Sequence, residues 1–407
     1  MKKIIYIEGE GCDRRLLEKT KILNYLEKNN YEFTSRPSKA DYILLFTCAF
    51  KKEEEDYSLA RLRALQNYRG RLLVYGCLPD IAPDRLDGFN SIYKLAPKEL
   101  DQIDSFFEGI TLKYTEVSNP HGIADSPKGA FVQKVRRNLY SHDFLANRLL
   151  HFRELFLKPR KYYYLMVCRG CLGKCSFCAI RRAVGSVKSK PIPAILAEFQ
   201  KGLKAGYQDF VLLGDDLGSY GLDGPGTLPI LMQALQREIK LFRSSEPRSI
   251  AKNQVFRFHL KEVHPEHLLQ FEGDLSQMFE SQTVRSLLCP IQSGSPRVLD
   301  LMQREHTVDD IKRLIGKIRT LSPTTEFSTQ IIAGFPTESD DDFEATLALV
   351  ADLRFHWVIV FPYDRKKGTP AADMDGQVSN SVIQTRIKKA LKYFRRKGIK
   401  ALTSCPW

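Results

Sequence analysis

The chain has 407 residues, 43% of them hydrophobic and 27% charged, which is ordinary for a globular protein with two or three compact domains. No run of about 18 uninterrupted apolar residues is present and the N-terminus carries no cleavage-site pattern, so we predict a cytoplasmic protein without a membrane partner. The net charge of +14 predicts a polyanionic partner, because folding alone rarely requires so large an excess.

Two segments hold the whole charge excess. Residues 376–407 contain eight Lys or Arg and no Asp or Glu, and residues 131–163 contain eight basic and two acidic residues. An RNA or another polyanion is the partner that such segments would attract. An ordinary solvated surface is the alternative for either segment alone.

The first 112 residues alternate strand-like apolar runs with helical patterns. The predicted elements, in chain order, are a strand at 4–7, a helix at 16–29, a strand at 42–46, a helix at 57–67 and a strand at 72–75. This rhythm predicts an α/β domain with an open parallel sheet of the flavodoxin-like type. Cys12, Cys48 and Cys77 follow its three strands. Because the carboxyl ends of parallel strands share one edge, we expect these cysteines to converge there.

The rest of the chain predicts a linker, a second α/β domain and a terminal helix. Residues 113–160 are irregular and basic, with some helix after residue 144. Residues 161–374 contain six strand-like runs, at 163–167, 209–213, 254–260, 287–291, 327–332 and 357–361. They predict a partial (β/α)6 barrel with its chemistry at the carboxyl ends of the strands. Residues 375–407 predict a basic amphipathic helix with an apolar stripe of Ile383, Ile387, Leu391 and Phe394.

The sharpest chemical signal is a CxxxCxxC motif, Cys171, Cys175 and Cys178, directly after the first barrel strand. Nine cysteines in a reducing compartment indicate metal or redox chemistry rather than disulfides. Three thiolates on one short loop can bind three irons of a 4Fe-4S cube and leave the fourth iron open to an external ligand. A zinc site completed by Cys168 or Cys289 is the alternative, with a spacing uncommon for zinc.

This motif, together with the flanking Gly170 and Phe177, resembles the cluster loop of the radical SAM superfamily. The resemblance implies that the open iron chelates the amino and carboxylate groups of S-adenosylmethionine (SAM). An electron from the cluster then cleaves SAM to a 5'-deoxyadenosyl radical. The protein would supply binding, orientation and exclusion of water.

Further stretches resemble the radical SAM methylthiotransferases more narrowly. Cys12, Cys48 and Cys77, in their local sequences, resemble the family's N-terminal domain, where three cysteines hold a second 4Fe-4S cluster. Buried small side chains are the alternative for these three. Later barrel motifs of the family are matched by residues 213–221, 290–295, 331–338 and 361–372. The resemblance implies two 4Fe-4S clusters and SAM as cofactors, with cofactor contacts from Phe177, Gly214, Asp215, Asp216, Arg257, Gln292 and Ser293.

Several of these assignments have structural alternatives. Arg257 would pair with the cofactor carboxylate, or it would form a salt bridge within the barrel. Asp215 and Asp216 would orient the ribose and ammonium groups of SAM, or they would cap a helix. We expect His259 and His264 to be core or turn histidines.

The chain departs from the family pattern at positions that bear on its substrate. Arg14-Arg15 replaces an Asn after the first cysteine, Phe46 replaces the Asn before Thr-Cys, and Gln330 replaces an Asp. The family's Arg-Gly after the cluster loop and its Ser-Pro-Arg at the barrel end read Val184-Gly185 and Asp364-Arg365-Lys366. Only 33 residues follow Met374, so we expect the C-terminal TRAM-type β-barrel of many members to be missing.

The resemblance implies a radical SAM transferase that inserts a methylthio group at an unactivated C–H bond of a macromolecule. The basic segments favour a tRNA nucleoside, whereas the missing barrel favours a side chain of a protein or a precursor peptide. An electron donor such as flavodoxin or ferredoxin and a sulfide source are the further partners implied. Two alternatives remain: a radical SAM enzyme that forms another bond on a peptide, with the second cluster auxiliary, and a non-catalytic iron-sulfur protein.

Overall fold

The computed structural model describes residues 2–9, 11–123, 162–245 and 254–403. Within these ranges the chain forms two large parallel sheets connected by helices, which confirms the predicted α/β class. Most of the basic linker, its predicted helix after residue 144 and Cys405 lie outside the described residues. The predicted domain boundaries at 112, 160 and 374 stay a prediction. Among the helices described, none combines the length and the apolar character that crossing a membrane requires.

The N-terminal sheet is built from five strands and is flanked by three helices. In chain order these are β1 (Ile4–Glu8), α1 (Asp13–Lys28), β2 (Glu32–Phe33), β3 (Tyr42–Thr47), α2 (Lys52–Leu65), β4 (Arg71–Gly76), α3 (Leu78–Ile81) and β5 (Ile92–Leu95). The strands pair in parallel in the order β2-β1-β3-β4-β5. All six residues of β3 are buried, as expected for a central parallel strand covered on both faces.

The second sheet has seven strands, and a small antiparallel pair lies beside it. In chain order the strands are β6 (Tyr162–Met166), β7 (Cys168–Arg169), β8 (Lys188–Ser189), β9 (Asp209–Leu213), β10 (Arg257–Leu260), β11 (Val284–Leu288), β12 (Glu326–Ala333), β13 (Trp357–Pro362) and β14 (Lys400–Leu402). The large sheet has the order β6-β9-β10-β11-β12-β13-β14, with every pairing parallel. Because β6 and β14 are both edges, the barrel is open.

Nine helices accompany this sheet within the described residues. They are α4 (Ile180–Val184), α5 (Ile192–Lys204), α6 (Leu228–Ser245), α7 (Pro265–Gln270), α8 (Leu275–Phe279), α9 (Pro296–Leu301), α10 (Val308–Leu321), α11 (Asp340–Asp352) and α12 (Asn380–Arg396). All six strands predicted for this part of the chain are present. The largest shift concerns 287–291, where the strand runs from Val284 to Leu288. The apolar run continues beyond the strand into the core, but Pro290 has no N–H to extend the ladder.

The C-terminal segment belongs to the sheet, which the sequence did not predict. Helix α12 has the predicted amphipathic pattern, and Ile383, Ile387 and Phe394 are buried in the main core. After it the chain forms β14, which pairs in parallel with β13. The basic helix is therefore a crossover connection between two strands, and its apolar stripe packs on the barrel.

The two sheets face each other across their carboxyl ends. Phe50, just after β3, makes an edge contact with Phe361 at the end of β13, with ring centroids 5.1 Å apart. The Nζ of Lys366, in the loop after β13, lies 3.0 Å from Oε2 of Glu55 on α2, and both side chains are buried. Loops that follow strands of one sheet thus meet loops that follow strands of the other.

Candidate active site

The cysteine loop begins directly after β7 and ends at α4. Gly170 has a φ of +83°, and a Cβ at this position would lie 2.1 Å from the backbone oxygen of Ser186, so the turn into the loop requires glycine. The Cys178 N–H donates to the Cys175 oxygen at 3.1 Å, which closes a tight turn between two of the cysteines. Cys171, Cys175 and Cys178 are therefore held on one short, folded loop, as the sequence predicted.

Hydrogen-bond donors approach the sulfur atoms of this loop. The Gly173 N–H donates to Cys171 Sγ at 3.2 Å, and a guanidinium N–H of Arg304 donates to Cys175 Sγ at 3.4 Å. Burial raises the pKa of Cys171, and the neighbouring carboxylate of Asp216 raises it further. Metal binding releases the proton of such a thiol and leaves a thiolate ligand. The iron ions of a cluster would bind these cysteines in this way.

The structure also brings the three early cysteines together. Cys12 is the N-cap residue of α1, Cys48 follows β3, and Cys77 follows β4. Burial raises the pKa of Cys48 to about 11, and Cys12 adds to the increase. Burial also raises the pKa of Cys77, as do its neighbours Cys48 and Cys12, whereas Arg15 opposes the increase. The pKa values of Cys48 and Cys77 thus both depend on neighbouring cysteines, in agreement with the predicted convergence.

Both trios, as we call these two sets of three cysteines, fit an iron-sulfur cube with one open iron. Each offers three thiols at the carboxyl edge of a parallel sheet. The candidate fourth ligands for zinc have other surroundings: Cys168 donates to the backbone oxygen of Asp216 at 3.5 Å, and Cys289 packs in the main core. The donor set thus favours the predicted cluster over zinc.

Two buried acceptors beside the cysteine loop fit SAM. Asp216 is fully buried, and its Oδ2 lies 2.8 Å from His267 Nε2 and 3.9 Å from Cys171 Sγ. Its other carboxylate oxygen, Oδ1, has no hydrogen-bond donor among the described residues, and the same is true of Gln292 Oε1. Buried acceptors of this kind need donors, and the ammonium and hydroxyl groups of SAM would supply them.

The histidines beside Asp216 determine its protonation. Burial alone would raise the pKa of Asp216, but the nearby His264 and His267 lower it. The carboxylate therefore stays ionised and acceptor-only. Its side chain caps no helix, which removes the capping alternative for this residue.

Asp215 has a different role from Asp216. Its Oδ2 accepts the Gly170 N–H at 2.9 Å, and its Oδ1 lies 3.2 Å from Arg14 Nε and 3.3 Å from a terminal nitrogen of Arg15. The residue thus holds the start of the cysteine loop and contacts α1 of the other sheet. The assignment of Asp215 to SAM stays a prediction that this geometry does not favour.

The other predicted cofactor contacts lie at the same edge, with different surroundings. A Cβ on Gly214 would lie 2.6 Å from Cys168 Sγ, so a larger residue at this position would displace Cys168. Phe177 packs on a small apolar cluster that includes Phe335 and Tyr363. Ser293 is fully buried, and its hydroxyl lies 3.2 Å from that of Thr346 on α11. The contact connects α11 to the barrel.

Arg257 is the one predicted contact that the structure places elsewhere. It is the first residue of β10, at the amino end of the strand, while the cysteine loop is at the carboxyl end. Its guanidinium binds both carboxylate oxygens of Asp209, at 2.7 and 2.8 Å. Arg257 therefore forms the salt bridge that was the alternative, because strand direction places it away from the cofactor edge. His259 joins the same group, 3.0 Å from Asp209.

Sequence reasoning missed a buried polar group behind the cysteine loop. Arg304, which donates to Cys175, also lies 2.9 Å from Glu266 through its Nε, and His306 Nδ1 lies 3.3 Å from the same carboxylate. Burial raises the pKa of Glu266, but His306 and Arg304 outweigh it and lower this pKa. The sequence signal was the group of polar residues at 264–267, of which only His264 was considered, as a core or turn histidine.

Two family models match the chain in the regions that hold the two trios. The model described as the radical SAM superfamily matches residues 165–350. The model described as an uncharacterized protein family, UPF0004, matches residues 4–95. The first range contains the cysteine loop, and the second contains Cys12, Cys48 and Cys77.

Curated relatives extend over almost the whole chain. The probable threonylcarbamoyladenosine tRNA methylthiotransferase of Methanocaldococcus jannaschii is 26% identical over 97% of this chain and 84% of its own length. The ribosomal protein uS12 methylthiotransferase RimO of Geobacter sulfurreducens is 29% identical over 96% of this chain and 81% of its own. The tRNA-2-methylthio-N(6)-dimethylallyladenosine synthase of Buchnera aphidicola subsp. Baizongia pistaciae is 28% identical over 94% and 80%.

Solved structures share the fold at low identity. The radical SAM methyltransferase TsrM of Kitasatospora setae superposes with a TM-score of 0.60 at 11% identity, over 91% of this chain and 75% of that one. The cobalamin-dependent radical enzyme OxsB superposes with a TM-score of 0.53 at 11% identity, over 98% and 62%. These similarities concern the arrangement of the two sheets.

Proposed function

The chain belongs to the radical SAM methylthiotransferase family, and on that premise we propose that it inserts a methylthio group at an unactivated C–H bond of a macromolecule. Members of this family are transferases that use SAM and carry two 4Fe-4S clusters. The observation that carries the proposal is the placement of two cysteine trios at the facing carboxyl edges of two parallel sheets. The reaction needs both a radical on the substrate and a sulfur donor. Both sites must therefore lie close to the same substrate carbon.

The residues of the chain would bind and orient the reacting groups. When bound, the clusters and SAM supply the 5'-deoxyadenosyl radical and the methylthio group. Cys171, Cys175 and Cys178 would hold one cluster, and Cys12, Cys48 and Cys77 the other. Asp216 Oδ1 and Gln292 Oε1 would accept hydrogen bonds from SAM, while the N-terminal sheet would cover the barrel edge and exclude water. An external electron donor such as flavodoxin or ferredoxin and a sulfide source complete the proposal.

A tRNA nucleoside is the first candidate substrate. The relatives from Methanocaldococcus jannaschii and Buchnera aphidicola are named for the modification of tRNA. On α12 the apolar stripe packs on the barrel, and this leaves several cations exposed: Lys388, Lys392, Arg395 and Arg396. A row of exposed cations on a docked helix is suited to phosphate groups.

A protein side chain is the second candidate substrate. Its support is the group of relatives named for ribosomal protein uS12, which are 27 to 29% identical to this chain. A precursor peptide would be recognised by the same general chemistry. The charged face of α12 would then contact an acidic segment of the partner or serve only solubility.

One assay separates these possibilities. The anaerobically reconstituted enzyme would be incubated with SAM, a flavodoxin reducing system and sulfide, in parallel with unmodified bulk tRNA and with uS12. Mass spectrometry should detect a methylthio group replacing hydrogen in one substrate, together with 5'-deoxyadenosine. Cleavage of SAM with a different mass change on a peptide would indicate the alternative bond-forming enzyme. A protein that bound iron but never cleaved SAM would contradict the proposal.

A further inference from the structure

A buried ionic bridge joins the two cysteine trios across the interface of the sheets. Arg14 and Arg15 are the second and third residues of α1, the helix that Cys12 caps. Both contact the Asp215 carboxylate, which accepts the N–H of Gly170, the residue before Cys171. A continuous chain of ionic contacts and hydrogen bonds thus runs from the start of α1 to the start of the cysteine loop.

The side chains of Arg15 and Asp215 are buried and that of Arg14 is partly buried, and both arginines have further partners. The residue Arg15 is only 4% exposed, and its guanidinium lies 2.7 Å from Glu18 and 3.4 Å from the Tyr75 hydroxyl. Arg14 donates to the backbone oxygen of Gly214 at 3.1 Å. Each guanidinium is therefore fixed by contacts from more than one direction. The planar guanidinium group of arginine has N–H donors in fixed directions, so it keeps such a geometry better than the ammonium group of lysine would.

The bridge also brings positive charge to the N-terminal trio. Tyr75, which Arg15 contacts, lies two residues before Cys77 on the same strand end. Arg14 and Arg15 also follow Cys12 by two and three residues at the start of α1, so both cations lie close to this trio. A cation near a cluster favours its more negative, reduced form.

Arg14-Arg15 lies in one of the stretches at which the chain departs from the methylthiotransferase pattern. Lys366, another departure, also crosses the interface, where it pairs with Glu55. Arg14, Arg15 and Lys366 thus all form ion pairs between elements of the same two sheets. Their shared location indicates a function at the interface rather than a general increase in surface charge.

We propose that Arg14 and Arg15 are positioning residues, which fix the cysteine loop relative to the N-terminal trio through Asp215 and place positive charge beside that trio. The inference rests on the proposed function, because it assumes that both trios hold clusters. Neither arginine would contact a reacting atom. They act through Asp215, Gly170 and the helix that begins at Cys12.

The first test measures each cluster separately. In a protein with Cys171, Cys175 and Cys178 changed to Ala, Arg15→Gln should shift the reduction potential of the remaining cluster to more negative values, while Arg15→Lys should keep it near the parent. In a protein with Cys12, Cys48 and Cys77 changed to Ala, both Arg15 variants should weaken SAM binding by about fivefold or more, as expected for coupling between sites. The change in SAM binding would be transmitted across the interface, and the change in reduction potential would depend on the charge of the side chain. A purely structural role of Arg15 would not produce this pair of effects.

The control is Arg71→Gln, which removes an arginine paired with Glu108 at 3.0 Å on the amino edge of the N-terminal sheet. It should leave the potential and the SAM affinity unchanged. Folded Arg15 variants that match the control in both quantities would overturn the inference. If Arg15→Gln does not fold, Arg15→Lys decides the matter: weaker SAM binding at an unchanged potential supports the bridge, and unchanged SAM binding refutes it.

A measurement without clusters separates this inference from the proposed function. In the cluster-free protein, Asp215 should protect the Gly170 amide from hydrogen exchange, and Arg14→Gln with Arg15→Gln should increase exchange in residues 168–173. Arg71→Gln should not. Faster exchange supports the bridge even if no cluster is ever incorporated, whereas unchanged exchange in a folded double variant refutes it even if the enzyme is active.

Discussion

The two trios occupy equivalent edges of two sheets but are assembled in different ways. Cys171, Cys175 and Cys178 lie on one loop whose shape depends on local turns and on a single required glycine. Cys12, Cys48 and Cys77 come from the ends of three strands, so their spacing depends on the pairing of β1 with β3 and of β3 with β4. A local site tolerates changes elsewhere in the fold. A dispersed site depends on the register of the whole sheet.

Removing the loop cysteines should have the largest effect. With two cubes, the wild type should bind about eight irons and eight sulfides. Changing Cys171, Cys175 and Cys178 to Ala should leave about half of the iron and abolish 5'-deoxyadenosine formation, because these cysteines are proposed to hold the iron that binds SAM. Iron analysis and chromatography of the products measure both quantities. Zinc in place of iron, or SAM cleavage by this variant, would contradict the assignment.

Removing the dispersed cysteines should abolish methylthio transfer but not SAM cleavage. With Cys12, Cys48 and Cys77 changed to Ala, about half of the iron should remain, and SAM cleavage should continue. Methylthio transfer should disappear, because the sulfur-donating site is lost. The measurement is 5'-deoxyadenosine and methylthiolated product in the same reaction. Loss of SAM cleavage together with transfer would show that the two sites are not separable.

Gly170 lies beside the loop trio and Gly76 beside the dispersed trio. Substitution of each glycine tests whether the two trios respond differently to a local change in the backbone. Alanine at Gly76, with a φ of +131°, would place a Cβ 2.1 Å from the Thr47 oxygen, and alanine at Gly170 would meet the Ser186 oxygen at the same distance. We expect each to lower the free energy of unfolding by about 3 kcal/mol or more, from strain and overlap together. Thermal or chemical unfolding measures this change.

The effect on the clusters should differ between these variants. Gly170→Ala should reduce occupancy of the loop cluster only, whereas Gly76→Ala should disturb β3 and β4 and reduce occupancy of the other. Gly206→Ala is the matched control, since its φ is +80° but no atom lies within 4 Å of the new Cβ, so only about 1 kcal/mol of strain is expected. Equal losses at all three positions would mean that overlap with the backbone is unimportant.

The smallest effect should come from the charged face of the barrel's C-terminal helix. Changing Lys388, Lys392, Arg395 and Arg396 to Glu should weaken tRNA binding and reduce its dependence on salt, because each phosphate contact contributes about 0.7 to 0.9 to the slope. The difference from wild type should be greatest at low salt. SAM cleavage without substrate should stay nearly unchanged.

A charge-matched control makes this result specific. Arg36, Lys39, Arg63 and Arg69 are exposed residues of the N-terminal region, and their change to Glu alters the net charge equally. If only the α12 variant loses affinity, the RNA hypothesis is supported. Wild-type affinity that is weak, flat with salt and unaffected by either set of changes would remove it and favour the peptide substrate.

Local features of the site could be read from the sequence, because their geometry is contained in short segments. The CxxxCxxC spacing alone predicted a three-thiol loop. The alternation of strands and helices predicted the class of fold and the common edge for Cys12, Cys48 and Cys77. Arg257 could not be placed in this way, because its position at the amino end of β10 depends on where the strand begins.

Tertiary structure alone decided the features that depend on contacts between distant segments. Strand β14 has only three residues and exists because β13 offers a free edge beside α12. Arg304, in the connection between α9 and α10, donates to Cys175 in the cysteine loop and pairs with Glu266 on α7. The bridge from Arg14 and Arg15 to Asp215 joins residues 200 positions apart. The sequence by itself determined the local chemistry and the class of fold, since spacing and periodicity are short-range. Which buried charges meet across the interface followed only from the packing of one sheet on the other.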